Sequence, residues 1–333
     1  MYELRQNIAT REWVIIATGR EQRPKELSQG NRLSTAERPA WVAECPFCPG
    51  NEDPDLEVVR IPGEGPWQAR VIRNKYPALQ RDGERKHTLN GIHQRMSAVG
   101  YHEVVVESRR HNTSAALQTP AEVTRVLSAI QSRGRTMAKD PRVEHIIYFE
   151  NHGPRAGATL THPHAQLTAL PVVPYNVRVR SKEARHHFDD TGACVYCRML
   201  TDALQDGGRI VIESDLFTAF VPYAACSPFH IWILPHRHNS SFLKATGEEL
   251  DDLGEVLHRV LRKLYLGLQD PDYNYIIRSA PVKDVGQGYN HWYVAILPRL
   301  SPSTGFELGT GVFINTSRPA ESAQFLRSIA TDS

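Results

Sequence analysis

The sequence predicts an α+β fold assembled from two copies of one unit. Two Cys-x-x-Cys pairs, Cys45/Cys48 and Cys194/Cys197, lie far apart in a chain of 333 residues. After each pair come β-rich segments, a histidine, a helix, a strand and a second histidine, in the same order both times. A succession of segments that occurs twice indicates an internal duplication.

In the first copy, the residue pattern predicts strands on both sides of a helix. The run Glu103-Val-Val-Val-Glu favours a strand and leads to His111. The sequence Thr119-Pro-Ala-Glu122 has the pattern of a capping box, so a helix is predicted to begin there. A second strand is predicted for Val143-Glu-His-Ile-Ile-Tyr-Phe149, and His162 follows it.

The second copy repeats these elements. Strands are predicted for residues 209–213, 229–235 and 273–277, with His238 after the second of these and His291 after the third. A capping box, Thr246-Gly-Glu-Glu249, begins eight residues after His238, just as the first begins eight residues after its histidine. The two histidines are 51 residues apart in the first copy and 53 in the second. We place the boundary near Pro174, giving units 1–174 and 175–333.

The composition excludes several classes of protein. A hydrophobic content of 41% and a charged content of 23% are those of a soluble globular protein. The 39 basic and 37 acidic residues leave a net charge of +2, which provides no general attraction to nucleic acid. No apolar run approaches the roughly 20 residues of a membrane helix, and the first residues do not form a signal peptide. A cytoplasmic protein with no membrane or nucleic-acid partner is therefore expected.

The cysteines and histidines predict two metal sites. Five cysteines are too few and too unevenly placed for a disulfide scaffold, and a redox pair would not explain two Cys-x-x-Cys pairs so far apart. Each copy instead offers two thiolates and two imidazoles, the ligand set of a closed structural zinc site. The predicted sets are Cys45, Cys48, His111 and His162, and Cys194, Cys197, His238 and His291. The alternative is that His111 and His238 merely end strands at the surface. It could hold for either residue alone, but it does not explain why both occupy matched positions in the two copies.

The predicted metal ligand His162 and its neighbour His164 mark a candidate catalytic site. Residues 162–166 read His-Pro-His-Ala-Gln, and on a strand the imidazoles of His162 and His164 would share one face. A polar loop precedes them, and its glycines permit close approach of the backbone to a ligand. The second copy has Tyr293 and Ala295 where the first has His164 and Gln166. One catalytic site per chain is therefore predicted.

The segment from Phe149 to Gln166 resembles the active-site signature of galactose-1-phosphate uridylyltransferases, members of the histidine-triad superfamily. Hydrolases of that superfamily have a third histidine where this chain has Gln166, and the transferase branch has glutamine. The resemblance extends through almost the whole chain. It implies duplicated histidine-triad-like units with antiparallel sheets and flanking helices, zinc at the first Cys/His set, and a homodimer. The second set resembles that of a related branch of nucleotidyltransferases.

The resemblance also implies a mechanism. A neutral imidazole is a good nucleophile at pH 7 and needs no separate base. His164 is expected to attack the α-phosphorus of a nucleotide sugar, and a hexose 1-phosphate or phosphate then takes the nucleotide. Gln166 would donate to the non-bridging oxygens. Further residues expected to bind substrate are Arg20, Arg23, Asn74, Asn151, Gly157 and Thr159.

Three functions are compatible with these residues. The first is transfer between UDP-glucose and a hexose 1-phosphate, most simply galactose 1-phosphate. Residues 305–315 lack the hexose-recognition pattern of the galactose enzymes, so an adenylyltransferase resembling ADP-glucose phosphorylase is the second. The third, a non-catalytic zinc protein that binds nucleic acid or a partner, fits poorly with the near-neutral charge and with the difference between His164 and Tyr293.

Overall fold

The computed structural model describes residues 2–20, 33–302 and 304–331. Its main element is a sheet of ten strands in which every neighbouring pair is antiparallel. From one edge to the other, the strands are β10 (Ile210–Glu213), β11 (Phe217–Phe220), β12 (Ile231–Pro235), β14 (Tyr293–Pro298), β13 (Tyr273–Arg278), β8 (His145–His152), β9 (His164–Leu170), β7 (Tyr101–Val106), β4 (Ala69–Arg73) and β3 (Glu57–Ile61).

The order of the strands shows the duplication. Within the described residues, five strands of this sheet come from each half of the chain, and the halves meet where β8 pairs with β13. At this joint Tyr273 lies opposite His152 and Ile277 lies opposite Tyr148. Counted from each edge toward the centre, the strands of the two halves match in order: β3, β4, β7, β9 and β8 correspond to β10, β11, β12, β14 and β13. The predicted duplicated α+β fold with antiparallel sheets is confirmed, and the boundary between 1–174 and 175–333 stays a prediction.

Two long helices cover one face of the sheet. They are α1 (Pro120–Met137) and α4 (Gly247–Leu268), and both begin with the predicted capping boxes. The hydroxyl oxygen of Thr119 and that of Thr246 each accept from the backbone N–H three residues later, which satisfies a free donor of the first turn. The flanking helices are therefore where the sequence predicted them.

Close contact between the two helices depends on a glycine. Gly254 on α4 faces Thr124 on α1, and an added Cβ would lie 2.1 Å from the Thr124 Oγ1 atom. Apolar residues of both helices fill the space above the sheet, among them Val123, Val126, Leu127 and Ile130 of α1 and Leu250, Leu253, Leu257 and Leu261 of α4. The largest hydrophobic core of the protein therefore lies on this face.

The opposite face of the sheet carries the two Cys-x-x-Cys segments. Successive side chains of a strand point to opposite faces, so Val105 joins the core beneath the helices, whereas Val104 and Val106 pack with Cys45 and Cys48. In the second half, a matching cluster contains Cys194, Tyr196, Trp232 and Tyr293. Each metal-ligand segment thus sits on its own half of the sheet, away from α1 and α4.

The remaining elements include helices that the sequence did not predict, among them α2 (Tyr175–Thr191) and α3 (Val195–Asp206). Only Ala184 of α2 is buried, so its sequence has no apolar stripe to reveal a helix. The others are β1 (Tyr2–Gln6), β2 (Trp13–Ala17) and β15 (Phe313–Asn315), which form a small sheet, the hairpin β5 (His87–Asn90) and β6 (His93–Met96), and helices α5 (Gly305–Thr310) and α6 (Pro319–Ser328). None of the described helices has the length and apolar character needed to cross a membrane.

Candidate active site and metal centres

The structure brings the first predicted ligand set together. The ligand atoms of Cys45, Cys48, His111 and His162 all lie within 4.8 Å of one another. The Cys48 Sγ atom is 3.5 Å from His111 Nδ1 and 3.6 Å from His162 Nδ1, and the Cys45 Sγ atom is 3.7 Å from His162 Nδ1. In a tetrahedral zinc site, sulfur and nitrogen ligands lie about 3.6 Å apart. The four residues therefore fit a zinc ion.

The outer ring nitrogens of these histidines are also held. His162 Nε2 donates to the carbonyl of Ser108 at 2.8 Å, and His111 Nε2 lies 2.8 Å from the hydroxyl of Thr161. Such contacts fix the ring so that Nδ1 faces the cysteines. Burial lowers the pKa of His162 to about 4, so its imidazole is neutral, as a metal ligand must be.

The second ligand set also converges. The Cys197 Sγ atom lies 3.3 Å from His238 Nδ1 and 3.4 Å from His291 Nδ1, and all the ligand atoms of this set, with Cys194, are within 4.8 Å of one another. These distances again suit tetrahedral zinc. The site is more open than the first, because His238 is exposed. In the part of the chain that the structure describes, His291 Nε2 has no hydrogen-bond partner.

His164 is fixed in one orientation. Its side chain is only 7% exposed, and its Nδ1 donates to the carbonyl of His162 at 2.8 Å. A neutral imidazole that donates from Nδ1 carries its lone pair on Nε2. Burial lowers the pKa of His164, which keeps the ring neutral at pH 7. Phe47 packs against the ring with centroids 5.3 Å apart. The geometry suits a nucleophile.

Gln166 lies two residues further along β9 and takes part in a polar cluster with His102 and Asn74. The Nδ1 atom of His102 accepts from the backbone N–H of Ala78 at 3.1 Å, so Nε2 carries the proton and donates to Gln166 Oε1 at 3.0 Å. Asn74 Nδ2 is 3.0 Å from the same ring nitrogen. With its oxygen engaged in this way, the Gln166 amide has its N–H groups available for another acceptor.

Asn151 lies beside His164. Glu150 of β8 pairs with Ala165 of β9, so the next residue of β8, Asn151, is level with His164 and its side chain is on the same face. Asn274 Nδ2 donates to Asn151 Oδ1 at 2.7 Å. The amide nitrogen of Asn151 is therefore turned away from that bond and is available as a donor.

The structure describes some of the other predicted binding residues and not others. Gly157 has φ of +89°, and an added Cβ would lie 3.9 Å from Asn151 Nδ2, so the structure brings these two residues together. Thr159 is exposed two residues later in the same loop. Arg23 and the side chain of Arg20 lie outside the described residues, and their predicted contacts with phosphate stay predictions.

The model of the N-terminal domain of galactose-1-phosphate uridyl transferase matches residues 1–174, and that of the histidine-triad (HIT) domain matches residues 204–301. The chain belongs to the galactose-1-phosphate uridylyltransferase family. It is therefore an enzyme of a nucleotidyltransferase family, and the resemblance found in the sequence is confirmed.

Relatives in this family carry two different names. An ADP-glucose phosphorylase from Arabidopsis thaliana is 35% identical over 98% of this chain and 93% of its own length. A galactose-1-phosphate uridylyltransferase from Thermotoga maritima is 30% identical over 98% of each chain. A solved structure of an Arabidopsis thaliana ADP-glucose phosphorylase with bound ADP-glucose covers 100% of both chains at 32% identity, with a TM-score of 0.83. Family membership therefore establishes nucleotidyl transfer and leaves the base open.

Two residues beside the uridylyltransferase signature were not singled out from the sequence. His102 lies on β7 at a spacing of two and four residues from Val104 and Val106, which pack on the same face of the sheet. This alternation along the strand was the sequence signal that could have placed His102 on the face of the candidate site. Phe47 lies inside the first Cys-x-x-Cys pair and contacts the rings of both His162 and His164. Its role depends on a fold that brings residues more than 100 positions apart into contact.

Proposed function

We propose that this enzyme transfers a nucleoside monophosphate from a nucleotide sugar to a phosphate-bearing acceptor through a covalent bond to His164. The observation that carries the proposal is the orientation of that ring, whose Nδ1 donates to the His162 carbonyl and whose Nε2 has no hydrogen-bond partner among the described residues. Similarity over nearly the full chain favours ADP-glucose as donor and phosphate as acceptor, in the manner of the phosphorylase relative. Transfer between UDP-glucose and galactose 1-phosphate is the second candidate, supported by the Thermotoga relative.

The reaction consists of two displacements at one phosphorus atom. The His164 Nε2 lone pair attacks the α-phosphorus, a P–N bond forms, and the bond to the bridging oxygen breaks and releases a sugar 1-phosphate. An oxygen of the acceptor phosphate then attacks the same phosphorus and the P–N bond breaks. The His162 carbonyl stabilises the positive charge that develops on the ring through the Nδ1 hydrogen bond. Gln166 donates to the non-bridging oxygens but supplies no proton, which suits phosphate leaving groups.

The proposal includes zinc at both Cys/His sets and a set of substrate-binding side chains. Zinc would be structural at both places, because four protein ligands complete its tetrahedron. At the first set it would hold His162, and through its carbonyl the orientation of His164. Binding of the nucleotide sugar and the acceptor is assigned to Arg20, Arg23, Asn74, Asn151, Gly157, Thr159 and Gln166. A homodimer in the cytoplasm remains part of the proposal.

Labelling with α-³²P nucleotide sugars tests the reaction. Without acceptor, ADP-glucose or UDP-glucose should transfer label to the protein, and the donor that labels faster identifies the base. The bond should be labile in acid and stable in base, as expected for a phosphoramidate, and should map to His164. Double-reciprocal plots of the initial rate should give parallel lines when both substrates are varied, since donor and acceptor react with one nucleophile in turn.

His164→Gly supplies the matched variant. It should abolish labelling and transfer while the metal content and melting temperature stay at the values of the unmodified enzyme. A variant that loses one equivalent of zinc would show that His164 is a ligand instead. Intersecting lines with no labelled protein from either donor would indicate direct transfer in a ternary complex and overturn the covalent mechanism.

A further inference from the structure

The second half of the protein contains a cavity of about 40 Å³ at the place that corresponds to the catalytic site of the first half. Its lining includes Tyr196, Arg278, Asn290, His291 and Tyr293, and neither His164 nor Gln166. The volume accommodates a group the size of a few water molecules and is far too small for a nucleoside.

The correspondence with the first half rests on strand register. Arg278 lies opposite Tyr293 in the pairing of β13 with β14, just as Asn151 is level with His164 in the pairing of β8 with β9. The aromatic residue of each Cys-x-x-Cys pair also has a matched neighbour, because the Tyr196 ring lies 5.4 Å from that of Tyr293. The cavity is therefore the counterpart of the catalytic site, with a tyrosine in place of the nucleophile.

Buried donors in this cavity lack acceptors. Asn290 is 7% exposed and His291 is 4% exposed, and neither Asn290 Nδ2 nor His291 Nε2 has a hydrogen-bond partner among the described residues. The Asn290 amide is oriented by Ser181, whose hydroxyl donates to Asn290 Oδ1 at 3.5 Å. Its nitrogen can therefore only donate, and the same is true of His291 Nε2 when Nδ1 faces the cysteines. Buried donors without acceptors are costly, which implies an occupant that accepts hydrogen bonds.

Two guanidinium groups add positive charge. Arg180 of α2 and Arg278 of β13 both line the cavity, and within the described ranges neither forms an ion pair with a carboxylate. Burial and the neighbouring charge of Arg180 both lower the pKa of Arg278, whereas Tyr293, Tyr196 and Glu12 act in the opposite sense without reversing the shift. An anion between the two arginines would relieve their mutual repulsion.

We infer that this cavity binds one small oxyanion of the phosphate class, held by Arg180, Arg278, Asn290 and His291. Charge selects an anion, the unpaired donors require several acceptor oxygens, and the volume admits a single phosphate group. No covalent step accompanies binding, because the second half has Tyr293 and Ala295 in place of a nucleophile and its amide partner. The inference does not depend on the reaction proposed for His164.

Titration of the full-length, zinc-loaded protein with inorganic phosphate tests this site. Calorimetry should detect binding that Arg278→Gln weakens at least about tenfold, since charge-assisted hydrogen bonds from a guanidinium are lost. Arg259→Gln is the control, because it removes one positive charge from the exposed surface of α4. Sulfate should compete at the same site. His164→Gly and Asn151→Ala alter the first half, where acceptor phosphate is proposed to bind, and should leave the Arg278-dependent binding unchanged.

Further variants distinguish phosphate binding in the second half from phosphate binding in the first half. If Arg278→Gln loses its zinc or its native melting temperature, Arg180→Gln on α2 removes the second charge without altering a strand of the sheet. Phosphate binding that falls in Asn151→Ala and is unaffected by both arginine variants would place the anion in the first half and overturn the inference. Absence of phosphate binding in the unmodified protein would overturn it as well.

Discussion

At the scale of single residues, the backbone of His162 joins the first Cys/His set to the proposed nucleophile. Its ring faces Cys45 and Cys48, and its carbonyl accepts from His164 Nδ1. Any movement of the metal ligand therefore changes the direction of the His164 lone pair. This coupling explains why a structural zinc site so close to the chemistry would affect turnover.

His102 provides a prediction at the same scale. Its Nε2 hydrogen bond holds the Gln166 oxygen, so the Gln166 nitrogen is directed elsewhere. His102→Ala should reduce kcat by about tenfold with little change in KM, less than the roughly 100-fold loss that follows removal of a donor to an oxyanion.

A double-mutant cycle distinguishes positioning from a general loss of structure. In a Gln166→Ala background, His102→Ala should have almost no further effect on kcat, because the group that it positions is already absent. Additive losses in kcat would show that His102 does not act through Gln166.

The sequence was informative about some of these residues and silent about others. The metal ligands could be predicted because cysteine pairs and histidines recur at matched spacings in both halves. His102 could not, since its importance arises from the pairing of β7 with β9, which places it near Gln166. A single histidine among 15 carries no such information on its own.

At the scale of elements, the loop between β8 and β9 depends on a glycine. Gly153 has φ of +82°, and an added Cβ would lie 2.0 Å from Asp272 Oδ1. Asp272 Oδ2 accepts from the backbone N–H of Arg155, so the carboxylate holds the short 3-10 turn of residues 154–156 against the sheet. The position of the loop that carries Gly157 follows from this contact.

Gly153→Ala should therefore destabilise the protein by about 2 kcal/mol or more, since both the backbone conformation and the contact with Asp272 oppose a side chain. The matched control is Gly63→Ala, where an added Cβ meets nothing within 4 Å. Urea unfolding of the two variants should differ by most of this amount. Equal stabilities would show that the loop relaxes without cost.

Asp270, just after α4, links distant elements and makes stability depend on pH. Burial alone would raise the pKa of Asp270, but hydrogen bonds with His152 and Thr35 lower it from 3.8 to about 2. A carboxylate whose pKa is lower in the folded state stabilises the fold above pH 4, and this contribution is lost as the pH falls from about 4 to 2.

The corresponding variant is Asp270→Asn. It should reduce the free energy of unfolding by about 2 kcal/mol at pH 7, with a difference from the unmodified protein that shrinks as the pH approaches 2. Asp251→Asn, at an exposed position of α4, is the control for loss of one negative charge. A difference that stays constant from pH 7 to pH 3 would contradict this role of the carboxylate.

At the scale of the whole molecule, one continuous sheet unites the two halves. The sequence predicted both copies of the unit, but it did not predict that β8 and β13 would pair, because strand pairing over more than 100 residues has no local signal. It also missed α2 and α3, and α3 is where the second cysteine pair lies, with Cys194 as N-cap and Cys197 in the first turn. The second Cys/His set therefore joins a helix to the sheet.

We expect the second Cys/His set to support mainly stability and the first set to support activity as well. Cys194→Ser should lower the melting temperature and remove one zinc equivalent while most of the turnover remains, because the second set lies in the half without a nucleophile. Cys45→Ser should remove both its zinc and the activity. Metal analysis, calorimetry and the transfer assay on the two variants test this difference, and equal losses of turnover would refute it.

The central pair of strands also bears on how such a chain can arise. An antiparallel pair at a two-fold axis is the geometry by which a single unit would bind an identical copy of itself. In that ancestral homodimer one gene would encode both sites, so each substitution would alter both. Fusion of two such copies into one polypeptide would release the second copy from this constraint. It could exchange its histidine for Tyr293, while the first kept His164.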